Sequence, residues 1–306
     1  MVQTSLSESV PNAVSLALAR TERMGGTGAS ATYRVTGILK VAPDPSETDL
    51  LQWLLERLPE YDRVFPKFRR LENVAGRFVT ELEYVGDVTL EDLLVKDASD
   101  DARRPESAVA CVRDLIDRLA RQTVPIEARS ASREVFFLEI VEAVAVNSRA
   151  AGVSIGIDLD SVRRRVRFVP SLCHRDLSGV NVVCAENDGI RLIDPRACVP
   201  GASGCSPSYG STAIDAAAFL VSLERKELER VRMGCSDLRL AERFRSHIDA
   251  WVSSDQRFNE VAFDLCMAHA YSVYAACRCE YCLAPAREWL YDLMRRRLEE
   301  FARRIA

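Results

Sequence analysis

An α+β fold of two unequal lobes is what this 306-residue sequence predicts, and two patterns predict it. Up to about residue 85 short β-rich runs dominate, with one amphipathic helix among them. From about residue 89 the apolar spacing turns helical and stays so, broken once by two strand-like runs near residues 181–194. Strands early and helices late imply segregated α and β layers, not an alternating parallel sheet. At 48% hydrophobic content the chain can bury a sizeable core.

Taken in order, residues 13–23 are compatible with either a strand or a short helix, and MGGTGAS (24–30) is glycine-rich. ATYRV and GILKV follow, two β-rich runs joined by Thr36 and Gly37 as a tight hairpin. After Pro45, SETDLLQWLLERL has helix chemistry, with Ser46 as cap, acids in the first turn, and an apolar face of Leu50, Leu51, Leu54, Leu55 and Leu58. FPKFRRLE and RFVTELEYV, separated by residues 73–76, read as paired strands. TLEDLL, ESAVACVRDLIDRLARQ and REVFFLEIVEAVAVNSRAA read as helices. NVVCAE and IRLID form a hairpin across Asn187, Asp188 and Gly189, and helices resume near Ile214.

A net charge of −4 argues against nucleic acid or an anionic membrane as partner, because such surfaces are bound mainly through Lys and Arg. No apolar run reaches the roughly 20 residues of a spanning helix, and the opening MVQTSLSESVPNA lacks the basic-then-apolar order of a signal peptide. The expectation is a cytoplasmic protein whose ten scattered cysteines are reduced thiols. Cys277, Cys279 and Cys282, with Cys266 and His269 upstream, have a spacing open to zinc. They lie in an alanine-rich stretch that reads as helix, however, and are expected to be buried small hydrophobes. Only four of the 41 basic residues are lysines (Lys40, Lys67, Lys96, Lys226), so a lysine calls for a reason that arginine could not meet.

The segment SLCHRDLSGVNVVCAENDGIRLIDP, residues 171–195, sets costly polar side chains in an apolar run. His174, Asp176, Asn181 and Asp194 make H-x-D-x4-N followed by a hairpin and I-D. That pattern suits phosphoryl transfer to a hydroxyl: one carboxylate near the acceptor, an amide and a second carboxylate for Mg2+ on the nucleotide. Here the sequence resembles the kinase-like phosphotransferases, and more closely the aminoglycoside phosphotransferase and choline kinase branch than the protein kinases. Ser178 stands where protein kinases carry Lys, Asp194-Pro195-Arg196 replaces D-F-G, and no A-P-E follows. Small-molecule kinases of that branch read H-G-D, so Arg175 is a departure.

The resemblance implies a bilobal protein-kinase-like fold, with a β-rich nucleotide-binding lobe over residues 1–85 and a helical lobe over 86–306. It implies ATP as nucleotide substrate with Mg2+, and a small-molecule hydroxyl acceptor such as an aminoglycoside, an aminocyclitol or another sugar-like alcohol, in antibiotic resistance or biosynthesis. Asp176 would orient the acceptor and accept its proton, and Asn181 and Asp194 would hold the metal. Lys40 would pair with the phosphates, with Glu47 as its helix partner and Glu56 as the alternative. Gly25, Gly26 and Gly28 would let backbone amides approach the phosphates, and Glu83, Tyr84 and Val85 would form the adenine hinge. His174 would brace the catalytic loop, Asp215 would tie it down, and residues 197–212 would grip the acceptor with Ser206, Ser208 and Tyr209. Monomer and homodimer stay open, as does a role for Arg175 and Arg196 in pairing a buried acid or touching phosphate. A pseudokinase-like nucleotide-binding module is the rival reading, opposed by the intact quartet of Lys40, Asp176, Asn181 and Asp194. A protein kinase is opposed by Ser178 and the missing A-P-E.

Overall fold

The structure is a computed structural model that describes residues 22–25, 31–34, 38–42, 45–58, 60–70, 77–95, 103–122, 126–156, 158–184, 189–200, 202, 209–254, 257–280 and 282–306, with the backbone alone described at 22–25, 31–34, 70 and 126–132. Five antiparallel strands form the first layer: β1 (Glu22–Gly25), β2 (Ala31–Arg34), β3 (Ile38–Ala42), β4 (Phe68–Arg70) and β5 (Phe78–Leu82), in the order β1-β2-β3-β5-β4. Arg34 pairs with Ile38 across the β2–β3 hairpin, and Lys40 lies between Thr32 and Thr80 in the centre of the sheet.

Helix α1 (Ser46–Arg57) follows β3 and packs Leu50, Leu51, Leu54 and the adjacent Leu58 into the core, while Leu55 is 42% exposed and leaves the expected apolar face incomplete. Its N-cap residue is Pro45, without a side-chain cap bond, so Ser46 is the first helical residue and not the cap. The ring of Pro45 restricts φ, here −85°, which suits entry into a helix but supplies no acceptor for the free N–H groups of the first turn. The Thr48 and Thr80 hydroxyls, 2.5 Å apart and buried, pin α1 to β5. A short helix α2 (Tyr61–Val64) leads to β4.

The second layer is helical: α3 (Leu90–Val95), α4 (Arg103–Arg121), α5 (Ile126–Ala150), α6 (Leu159–Arg165), α7 (Thr212–Arg232), α8 (Leu240–Ser253), α9 (Glu260–Ala276) and α10 (Ala284–Ile305). Thr89 and Asp92 exchange the two bonds of a capping box at the start of α3. Helix α4 buries Ala108, Val112, Leu115, Ile116 and Leu119 on one stripe, as its spacing requires. Helix α9 is buried from Ala262 to Ser272, which explains its near absence of charge, and packs against α5, α7 and α10. The hairpin β6 (Val182–Cys184) and β7 (Ile190–Leu192) interrupts the helices as the sequence predicts.

The cysteine stretch differs from expectation. Helix α9 ends at Ala276, and Arg278 and Cys279 adopt left-handed φ of 48° and 51°, so Cys277, Cys279 and Cys282 sit in a turn where helical facing does not apply. Cys279 and Cys282 are buried and Cys277 is half-buried. Among the described residues no group of three or more His, Cys, Asp or Glu could hold a metal ion. Eight described cysteines are free, but Cys198 is disulfide-bonded, contrary to the uniform reduced thiols expected. No helix among the described residues is long and apolar enough to cross a membrane.

Candidate active site

The loop from Leu172 to Asn181 leaves a single bridge between Ser171 and Gly210 and runs over the start of α7. Both carboxylate oxygens of Asp215, in the first turn of α7, accept backbone N–H groups from this loop: His174 at 2.8 Å and Arg175 at 2.8 Å. Asp215 is 0% exposed, and burial raises its carboxyl to about 7 against the pull of those two donors. His174 is likewise 0% exposed. Burial holds its imidazole down near 4, so the ring is neutral and its Nε2–H donates to the Ile193 carbonyl at 2.9 Å. Its face stacks on Phe65, with ring centroids 6.1 Å apart.

The position after His174 explains the departure from H-G-D. Arg175 has φ 67°, the left-handed region that glycine enters freely and other residues enter at a cost. Its buried side chain bonds the Ala197 carbonyl, lies 3.5 Å from Glu139, and sits over the Phe136 ring. Glu139 also accepts the Val199 N–H at 2.7 Å, so the pair ties the loop to the segment after Asp194.

At the end of the loop a 3-10 turn, Gly179–Asn181, presents Asn181. Gly179 is tight: its N–H donates to Ser222 Oγ at 2.8 Å, and a Cβ there would lie 2.9 Å from Glu91 Cγ. Asn181 Nδ2 donates to the Asp176 carbonyl at 2.8 Å, which leaves its carbonyl oxygen as the group suited to a cation. The β6–β7 hairpin returns the chain so that Ile193 N–H bonds Asn181 O at 3.0 Å, delivering Asp194 beside it.

Lys40 joins the sheet to this loop. Its Nζ lies 2.6 Å from Glu47 Oε1 and 2.8 Å from Asp194 Oδ1. Burial works against its charge, but the Asp194 and Glu47 carboxylates outweigh that and raise its pKa. Glu56, the other acid considered for Lys40, bonds Gln52 and Arg57 instead. Asp194 is half exposed and its other oxygen has no hydrogen bond among the described residues; with Asn181 it offers the hard oxygen donors that Mg2+ prefers.

Gly25 closes β1 opposite Thr32, whereas Gly26 and Gly28 lie outside the described residues. Strand β5 ends at Leu82, so Glu83, Tyr84 and Val85 lie outside the sheet, in the connection to the helical layer. The Glu83 N–H is bonded to the Lys67 carbonyl at 2.7 Å. In the segment after Asp194, Ser206 and Ser208 lie outside the described residues. Tyr209 packs edge-on against Trp53 of α1 at 5.1 Å, which links that segment to the helix carrying Glu47.

Sequence reasoning left Arg196 open. Its Nε donates to Asp176 Oδ2 at 2.6 Å, and its backbone N–H bonds the His174 carbonyl at 3.1 Å. The Asp194 φ of 55° bends the chain back to allow both. An arginine two residues after the I-D aspartate was the available signal.

No family model and no curated protein matches the sequence. Solved structures do match its fold. Aminoglycoside phosphotransferase APH(4)-Ia superposes with TM-score 0.56 at 12% identity, covering 94% of each chain. The apo form of its thermostable mutant gives 0.57 at 13% identity, again over 94% of each chain. A ternary complex of such a mutant with AMP-PNP and hygromycin B gives 0.56 at 12% identity, covering 92% of this chain and 93% of that one. The chain therefore shares the fold of these phosphotransferases.

Proposed function

We propose that this protein is an ATP-dependent O-phosphotransferase acting on a hydroxyl of a small molecule, with an aminoglycoside, an aminocyclitol or a related sugar-like alcohol as the acceptor class. The observation that carries the reading is the convergence of Lys40, Glu47 and Asp194 within 2.8 Å of one ammonium, beside a loop that sets Asp176 and Asn181 together. Residues 1–85 supply the nucleotide side and 86–306 the acceptor side. ATP places the enzyme in the cytoplasm.

In this reading the γ-phosphoryl group leaves ADP as its bond to the bridging oxygen breaks, and a new bond forms to the acceptor oxygen. Asp176 orients that hydroxyl and takes its proton late in the transfer. Lys40 exchanges Asp194 for the nucleotide phosphates while Glu47 keeps it aimed. Asn181 and Asp194 would hold Mg2+, which supplies charge compensation for the phosphates. His174 and Asp215 keep the loop in place from beneath. Lys40 is one of only four lysines because a compact ammonium suits a shared phosphate contact better than a planar guanidinium. The support from likeness is that one solved neighbour is a complex with AMP-PNP and hygromycin B. A steady-state ATP turnover assay over a panel of aminoglycosides, aminocyclitols, amino sugars and amino alcohols tests the proposal. Acceptor-dependent ADP release is expected, and its absence over the whole panel, with Mg-ATP still bound, would favour the pseudokinase-like reading.

A further inference from the structure

Asp176 has a partner that the proton-accepting role does not call for. Arg196 Nε sits 2.6 Å from Asp176 Oδ2, and the Arg196 side chain is 53% exposed against 23% for Asp176. Only Nε of the guanidinium is engaged; its two terminal NH2 groups have no hydrogen bond among the described residues. The backbone of Arg196 is anchored to the same loop through His174 O, so the side chain starts from a fixed point. Around it stand three carboxylates, Asp176, Asp194 and Glu47, and all three act on Arg196 electrostatically. Lys40 contacts two of them, and Arg196 contacts the third.

Nucleotide binding changes that balance. A polyphosphate drawn to Lys40 brings further negative charge into the cluster, and the transferring phosphoryl group must then approach the Asp176 carboxylate. Two like charges meeting there raise the barrier unless a cation stands between them. A planar guanidinium held edge-on by Nε can bond a carboxylate on one side and phosphoryl oxygens with its remaining N–H groups, whereas an ammonium is a point charge without that fork.

We infer that Arg196 is a catalytic residue of the phosphoryl transfer proposed above, holding Asp176 through Nε while its terminal NH2 groups bind the phosphoryl oxygens in flight. The inference rests on the phosphotransferase reading. No bond is made or broken at Arg196 itself; the proton still passes from the acceptor hydroxyl to Asp176.

The test compares wild type, Arg196→Ala, Arg196→Lys and Asp176→Asn for ATP turnover over the hydroxyl panel and with water as acceptor. Calorimetry with Mg-ATP, and with Mg-ADP plus and minus aluminium fluoride as a mimic of the group in flight, accompanies it. For Arg196→Ala the expected loss is about 10²–10³-fold in kcat, as for removal of a donor aimed at developing charge, with Mg-ATP affinity within about threefold. Aluminium fluoride should tighten Mg-ADP binding in wild type and not in Arg196→Ala. Millimolar guanidinium should restore part of the Ala variant's turnover, and Arg196→Lys should stay below about a tenth of wild type. A kcat within threefold of wild type in Arg196→Ala, a loss confined to Mg-ATP KM, or full activity in Arg196→Lys would overturn the role of Arg196. If Asp176→Asn is inactive while Arg196→Ala is normal, only this inference falls. If wild type consumes no ATP with any acceptor, the phosphotransferase reading falls and takes the inference with it.

Discussion

Replacing Arg175 by the glycine that related motifs carry sets two effects of different size against each other. At φ 67° an arginine spends roughly 1–2 kcal/mol of backbone strain that glycine does not. The same substitution removes the oppositely charged partner that Glu139 has among the described residues, a side chain 8% exposed and held 3.5 Å from the guanidinium. Breaking a buried pair by removing one member typically costs about 3–5 kcal/mol, because the remaining charge stays buried. The bond from Arg175 to the Ala197 carbonyl is lost as well. The second effect wins: Arg175→Gly should lower the unfolding free energy by about 1–4 kcal/mol despite the relaxed backbone. Urea unfolding followed by far-UV circular dichroism and tryptophan fluorescence measures this directly. Adding Glu139→Gln should recover a good part of the loss, since the neutral amide can still accept the Val199 N–H. An Arg175→Gly variant as stable as wild type or more so would refute the reasoning, showing that the backbone cost exceeds the pair's contribution.

His174 gives a pH-dependent outcome. Its folded pKa near 4 is depressed from 6.5, so the unfolded chain binds the proton first and the ring's contribution is lost as pH falls from about 6.5 toward 4. Protonation would also add an N–H at Nδ1, which is buried without a partner. Between pH 7 and pH 5 wild type should lose about 2 kcal/mol more stability than His174→Gln, whose amide can still donate to Ile193; parallel pH curves would exclude this. Gly210→Ala places a Cβ against Cys173 Sγ and 2.9 Å from Phe136 Cε2, so a loss of about 1–3 kcal/mol by overpacking is expected in thermal unfolding. Asp194→Ala frees Lys40 and removes the carboxylate proposed to hold Mg2+, so calorimetry should show Mg2+ no longer strengthening ATP binding, while ATP alone binds at least as well as in wild type.

Much of the architecture was readable because each signal was local. The β2–β3 hairpin, the helical TLEDLL run, the stripe of α4 and the β6–β7 hairpin depend on residues a few positions apart, where turn chemistry and apolar period act directly. The polar residues of 174–194 were conspicuous because an apolar run does not tolerate them without partners. What escaped depends on backbone conformation or on contacts far along the chain. Pro45 took the place of Ser46 at the helix entrance, and left-handed residues at 278 and 279 ended α9 before the cysteines. The Arg196 contact to Asp176 goes with the left-handed turn at Asp194, and the Trp53–Tyr209 contact spans about half of the chain. Neither leaves a periodicity to read. Arg175 was visible as an oddity in the motif, but its reason, a buried acid on α5, lay in the packing.

The central claim is that Asp176 receives the proton of a small-molecule hydroxyl during transfer from ATP, and Asp176→Asn tests it most directly. The asparagine keeps the shape of the side chain and leaves Lys40, Asn181 and Asp194 in place, so Mg-ATP affinity measured by calorimetry should stay within about threefold of wild type while acceptor-dependent turnover falls at least ~100-fold. Turnover close to wild type in that variant would contradict the account.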